Sequence, residues 1–324
     1  MKVCIYGAGA IGGWIGSRLA RAGCSVSVVA RGATLDALQL HGLRLHEGHS
    51  VTSQAVASSE SPAELGVQDV VVLAVKAPSL IEVARQMASL IGPDTLVLTA
   101  MNGVPWWFLQ GFGGALAGTR LTSVDPSGEL AAALPTRHII GCVVHASCLM
   151  EEPGVVQHHF GNTLILGEPS GQKTARVQQL AALLTQAGFD AQVSEQIQKD
   201  IWYKLWGNMT VNPISALTGA TTDLIMQDEL VRGFISRVML EAKEIGARIG
   251  IHIEQQPEDR HQVTRKLGAF KTSMLQDVEA GKALELDALV AAVRELGQLT
   301  GVATPFTDAL LGLARLQARV KGLY

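Results

Sequence analysis

The spacing of apolar residues divides the chain into two regimes. Before Gly167-Glu168-Pro169-Ser170-Gly171, apolar runs of strand length alternate with helical stretches; after it, the helical period holds almost throughout. The run Val70-Val71-Val72-Leu73-Ala74-Val75 has no polar face, which marks a strand covered on both sides of a parallel sheet. Strands are predicted at 2–6, 25–30, 69–75, 95–99, 139–144, 155–159 and 164–166, and helices at 14–22 and 78–90. The Gly-, His- and Thr-rich stretch 41–59 reads as a hairpin or excursion, and Pro153-Gly154 as a turn. Such alternation predicts a doubly wound α/β sheet, with ligands at the carboxyl ends of its strands. Past residue 171 one strand is expected, at 190–193, among helices at 173–187, 196–217, 230–249, 257–267, 286–299 and 305–320.

The first strand, Lys2-Val3-Cys4-Ile5-Tyr6, runs directly into Gly7-Ala8-Gly9-Ala10-Ile11-Gly12. A Gly-x-Gly-x-x-Gly sequence is weak alone, but here an apolar strand precedes it and a helix and a second strand follow. Gly7 permits the tight turn, Gly9 lets the backbone approach a pyrophosphate, and Gly12 lets helix and strand pack closely. The free N–H groups and positive dipole end of the helix complete an anion site. Gly7, Ala8, Gly9, Ala10, Ile11 and Gly12 are therefore assigned to a dinucleotide cofactor. The expected architecture is an α/β Rossmann-type doubly wound domain over 1–168, followed by an all-α C-terminal domain over 172–324. The second strand ends in Ala30-Arg31-Gly32, without the Asp or Glu that NAD-preferring sites place there. A guanidinium at Arg31 suits a 2′-phosphate, so NADP(H) is expected over NAD(H), against the plainer reading of a surface arginine.

Composition narrows the function further. The 324 residues exceed one ordinary core, and 48 % hydrophobic against 17 % charged residues fits a well-buried globular protein. A net charge of -3 with no dense basic run argues against a nucleic-acid partner. The apolar runs are too short to span a bilayer, and the N-terminal one is already used by the first strand rather than by a signal peptide. Cys4, Cys24, Cys142 and Cys148 form no Cys-x-x-Cys pair and read as reduced apolar fillers in a cytoplasmic protein. The nine histidines show no ligand spacing, so no metal is expected. A homodimer is left open.

The chemistry concentrates in Lys204-Leu205-Trp206-Gly207-Asn208 and Asn212-Pro213. Lys204, Asn208 and Asn212 fall at i, i+4 and i+8, on one face of a helix that is otherwise strongly apolar. A solvated polar stripe is the plainer reading, but Trp202, Trp206, Met209 and Val211 leave little of this helix free for water. Pro213 is expected to disturb the helix at Asn212. Lys76 and Asn102-Gly103 each follow a predicted strand at its ligand-facing end. Ser273-Met274-Leu275-Gln276 reads as a capping box, and Glu285 as a carboxylate favouring a helix dipole; both are structural by default.

Taken together, the chain resembles the ketopantoate reductase (2-dehydropantoate 2-reductase) family nearly end to end. The resemblance rests on Gly7-Ala8-Gly9-Ala10-Ile11-Gly12, Arg31, Val75-Lys76-Ala77, Asn102-Gly103, and Lys204 to Gly207 with Asn208, Asn212 and Pro213. It ends with Ser273-Met274-Leu275-Gln276-Asp277 followed by Glu285-Leu286-Asp287. It implies reduction of a 2-oxo acid by NADPH, ketopantoate to pantoate, in pantothenate biosynthesis. By resemblance Lys204 is the general acid and Glu285 a second catalytic group. Asn208, Asn212, Ser273 and Asn102 would hold substrate, Lys76 and Asn102 would line the cofactor–substrate junction, and Arg31 would meet the 2′-phosphate. One departure follows Gly103: Val104-Pro105-Trp106-Trp107-Phe108 is bulkier than the small residues common there, so Trp106 and Trp107 either shape the acyl side of the pocket or fill a core. Two rivals share the scaffold. A 3-hydroxy acid dehydrogenase also pairs these domains, but lacks the Ser273…Glu285 segment; a non-catalytic NADP(H)-sensing regulator would have no need of Lys204 with its amides.

Overall fold

The computed structural model describes residues 1–324, and packing divides them into two units: Met1–Met101 with Glu129–Ile197, and Asn102–Gly128 with Gln198–Tyr324. The stretch Asn102–Gly128 thus packs with the helical unit although it precedes residue 168 in sequence.

The first unit is built on β1 (Lys2–Tyr6), α1 (Ala10–Arg21), β2 (Ser25–Val29), α2 (Gly32–His41), β3 (Leu43–Glu47), β4 (Ser50–Gln54) and β5 (Ala57–Ser59). It continues with β6 (Val70–Leu73), α3 (Leu80–Gln86), β7 (Leu96–Ala100), α4 (Glu129–Ala133), β8 (Ile139–Glu152), β9 (Val155–Gly167), α5 (Ala175–Gln186) and β10 (Asp190–Val193). All strands join one sheet in the order β4-β3-β9-β8-β7-β6-β1-β2-β5, with β10 also on β9. The centre is parallel, as the apolar run of β6 requires: β1 pairs with β2 and β6, and β6 with β7. Val3, Ile5, Val28, Val70, Val72, Leu98 and Ile140 are buried there. Two pairings depart from a purely parallel doubly wound sheet, because β3–β4 and β8–β9 are antiparallel hairpins. The second turns at Pro153-Gly154, as expected. The strands predicted at 155–159 and 164–166 are one strand. Its exposed middle, with Gly161 at φ 80°, breaks the apolar period while the ladder runs on past a register shift. Burial pushes the thiols of Cys4 and Cys148 up to about 12, so both stay protonated fillers.

The second unit is helical: α6 (Ile197–Thr218), α7 (Thr222–Gln227), α8 (Glu229–Arg248), α9 (Pro257–Arg265), α10 (Ser273–Glu279), a π-helical turn Asp287–Ala291 leading into α11 (Ala292–Thr300), and α12 (Pro305–Val320). Two indoles fasten α6 to α8: Trp202 Nε1 donates to the Ala242 carbonyl at 3.3 Å and Trp206 Nε1 to that of Met239 at 2.7 Å. Gly246 makes room for the first, since a Cβ there would lie 2.6 Å from the Trp202 nitrogen. Pro213 does not end α6. The buried Met209, Val211, Ile214 and Ala216 hold its last turns, and packing outweighs the lost hydrogen bond. No helix is long and apolar enough to cross a membrane.

Candidate functional site

In the first unit, the turn after β1 has the geometry its glycines require. Gly7 sits at φ 99°, and a Cβ on it would meet Val75 at 2.7 Å and the Ala74 carbonyl oxygen at 3.0 Å. Gly12 is pressed against the turn itself: its Cβ would lie 2.1 Å from the Gly7 oxygen. Gly9 differs, because nothing stands within 4 Å of its Cβ position and its φ of −74° suits any residue. Gly9 caps α1 with no side-chain hydrogen bond, and the first turn of α1 carries no acid. An open glycine before uncapped N–H groups leaves room for a pyrophosphate. Gly9→Ala is therefore expected to leave the melting temperature unchanged while weakening NADPH binding roughly tenfold or more, through about 1–3 kcal/mol of overpacking against the ligand. Loss of both together, read by thermal unfolding and cofactor fluorescence, would place Gly9 in the fold rather than the cradle.

Arg31 is the N-cap of α2, at the end of β2, and its side chain is 74 % exposed. Sequence reasoning missed Glu82 of α3, whose carboxylate stands 4.0 Å from Arg31. Glu82 lies far from Arg31 along the chain and only the β2-β1-β6 order of the sheet brings α3 alongside. An exposed pair of this length contributes no more than about 1 kcal/mol, which a doubly charged phosphate readily replaces. Arg31→Ala is expected to weaken NADPH far more than NADH; equal losses in the two dissociation constants would remove the assignment. Lys76 leaves β6 half-buried at the same sheet end, and its carbonyl accepts the Ser79 N–H at 3.0 Å.

In the second unit, Lys204 Nζ donates to Asn102 Oδ1 at 2.8 Å. One turn along α6, Asn208 is half-buried, and Asn212 is buried. The Asn102 loop is itself fixed. A Cβ on Gly103, at φ 83°, would fall 2.7 Å from the backbone of Ala288, and Val104 N donates to the Ala288 carbonyl at 2.8 Å. Ala288 belongs to the π turn that begins just after Glu285, and Leu289 N returns to the Glu285 carbonyl at 3.1 Å. The structure thus links Lys204, Asn102 and the Glu285 segment through Gly103, a contact the sequence did not reveal. Ser273 stands exposed in the first turn of α10. The capping box expected there is corrected: the N-cap is Thr272, whose hydroxyl accepts from Leu275 N at 3.2 Å, and Gln276 donates to the Lys271 carbonyl at 3.1 Å instead of accepting from an N–H. A carboxamide side chain offers donors as well as an acceptor, and here its donor found the nearer carbonyl.

Comparison with known proteins decides the family. Residues 3–110 match the family model "Ketopantoate reductase PanE/ApbA", and residues 196–318 its C-terminal companion, "Ketopantoate reductase PanE/ApbA C terminal". The chain is also 46 % identical, over 100 % of both proteins, to a 2-dehydropantoate 2-reductase of Mesorhizobium japonicum. It belongs to the ketopantoate reductase family. A crystal structure of a candidate ketopantoate reductase from Ralstonia solanacearum is 57 % identical, with a TM-score of 0.96 over 100 % of this chain and 99 % of that one. A 2-dehydropantoate 2-reductase from Methylococcus capsulatus, 28 % identical over 99 % and 98 %, gives a TM-score of 0.84. A D-mandelate dehydrogenase solved with NADH is similar in fold alone, at 22 % identity and a TM-score of 0.82 over 100 % of both chains. As a ketopantoate reductase family member the chain is an NADP-dependent oxidoreductase with a Rossmann-type domain and a helical C-terminal domain.

Proposed function

We propose that this ketopantoate reductase family member reduces a 2-oxo acid with NADPH, with 2-dehydropantoate as substrate and pantoate as product, in the cytoplasm. The observation that carries this reading is the Lys204 ammonium, held by Asn102 on a helix face shared with Asn208 and Asn212. Residues 1–168 would supply the nucleotide cradle and 172–324 the groups that meet the substrate. Gly7 to Gly12 and Arg31 would hold the cofactor, which when bound supplies a hydride to the ketone carbon. Lys204 gives its proton to the oxygen as negative charge develops there, so a free alkoxide never has to form. Asn102 orients the ammonium by accepting one of its N–H groups. Asn208, Asn212 and Ser273 present amides and a hydroxyl that fix the rest of the acid, and Glu285 accepts from the substrate hydroxyl. An NADPH-oxidation screen over branched and linear 2-oxo and 3-oxo acids tests the reading. Preference for 2-dehydropantoate is the expected result; turnover of 3-oxo acids only, or none, rejects it.

A further inference from the structure

Arg260, on α9, has no role in the chemistry described so far. Its guanidinium lies directly on the backbone of α6 at Gly207: a Cβ there would be 2.5 Å from Nε, 2.8 Å from Nη2 and 3.0 Å from Cζ. Only glycine leaves room for it. Tyr203, one turn earlier on α6, supports the cation with its ring centroid 5.7 Å from Cζ. Nε is buried and has no hydrogen-bond partner. The acids of α9 are engaged elsewhere: Glu258 pairs with Arg265 at 2.5 Å, and Asp259 accepts the Gln256 N–H at 2.8 Å. Burial, uncompensated by any carboxylate, holds the Arg260 pKa below its usual value. A half-buried cation with no carboxylate beside it is costly, and a fold that keeps one has a site prepared for an anion.

Its position says which anion. Gly207 is three residues beyond Lys204 and adjacent to Asn208, and residues three apart are neighbours on a helix surface. We propose that Arg260 recognises the carboxylate of the substrate and sets the preference for 2-oxo acids over uncharged ketones. The proposal rests on the reductase reading above and adds to it the group that selects acids. A planar guanidinium matches the two oxygens of a carboxylate, and Gly207 and Tyr203 fix its plane before substrate arrives. Arg260 transfers no proton and is a specificity residue.

The test uses Arg260→Met and Arg260→Lys in the full chain, with 3-methyl-2-oxobutanoate and its methyl ester as paired probes. Arg260→Met is expected to raise KM for the acid roughly 10- to 100-fold, to leave KM for the ester and the NADPH dissociation constant unchanged, and not to lower the melting temperature. Arg260→Lys should recover part of the acid's binding. Equal losses for acid and ester, a lowered melting temperature with both, or an unchanged KM for the acid would overturn the proposal. Calorimetric binding of 3-methyl-2-oxobutanoate in the presence of NADP⁺ separates the two readings. Binding of the acid by a wild type that turns over neither it nor 2-dehydropantoate rejects the reductase reading, while weaker binding by Arg260→Met still supports the carboxylate site. Turnover with no difference between wild type and Arg260→Met rejects the carboxylate site alone.

Discussion

Lys204→Ala is expected to lower kcat by roughly 10²–10⁴-fold, the loss typical of a missing general acid. NADPH affinity should stay close to wild type, because Gly7 to Gly12 and Arg31 belong to the other unit. The substrate KM rises as well if the ammonium meets the substrate before reduction. Lys204→Arg should not restore turnover, since a guanidinium rarely gives up its proton and its planar fork does not reproduce the ammonium's contact with Asn102. Asn102→Ala provides an internal comparison: the proton donor remains but its orientation is lost, so its kcat should fall less than that of Lys204→Ala. Single-turnover kinetics with prebound NADPH measures the chemical step directly. Near-wild-type turnover by Lys204→Ala would remove the lysine from the mechanism and turn attention to Glu285.

Trp107→Ala should cost about 3–5 kcal/mol of stability, the range for deleting a large buried aromatic side chain. It should leave the ranking of 2-oxo acid substrates as it is. Trp106 and Trp107 are 3 % and 1 % exposed. The neighbouring Phe108 packs on Trp202 of α6 with ring centroids 5.9 Å apart, and Gln198 donates to its carbonyl at 3.3 Å. Burial of this kind supports the core reading of the pair over the pocket reading. Chemical denaturation followed by tryptophan fluorescence, beside a substrate panel, distinguishes them: unchanged stability with a reordered panel would restore both rings to the pocket.

Where hydrophobic period and glycine chemistry agreed, the sequence was readable. β1, β10 and α12 lie where the pattern put them, because each is bounded by a turn residue and has an unbroken period. The start of α1 was harder to read, since Ala10, Gly12 and Gly13 carry almost no periodic signal. The hairpin of β8 and β9 was legible only in its turn and its buried ends. The site divides in the same way. Lys204, Asn208 and Asn212 are spaced by the helix that carries them, so their common face followed from counting. The docking of Gly103 on Ala288, the Glu82 carboxylate near Arg31 and the seat of Arg260 on Gly207 join residues far apart in sequence. Spacing says nothing about such contacts; the packing of whole elements makes them.

The placement of Asn102–Gly128 has a consequence for anyone who would dissect this protein. The polypeptide passes between the two units at residues 101–102, 128–129 and 197–198, so no single scission yields two intact halves. A fragment ending near residue 168 would carry Val104, Trp106, Trp107, Phe108 and Leu109 without the helices that bury them. That much greasy surface favours precipitation over a free-standing nucleotide-binding module. The same threading makes the oxidoreductase hard to assemble by simple fusion of two pre-existing modules: the loop that orients the proton donor is borrowed from the middle of the other unit's chain.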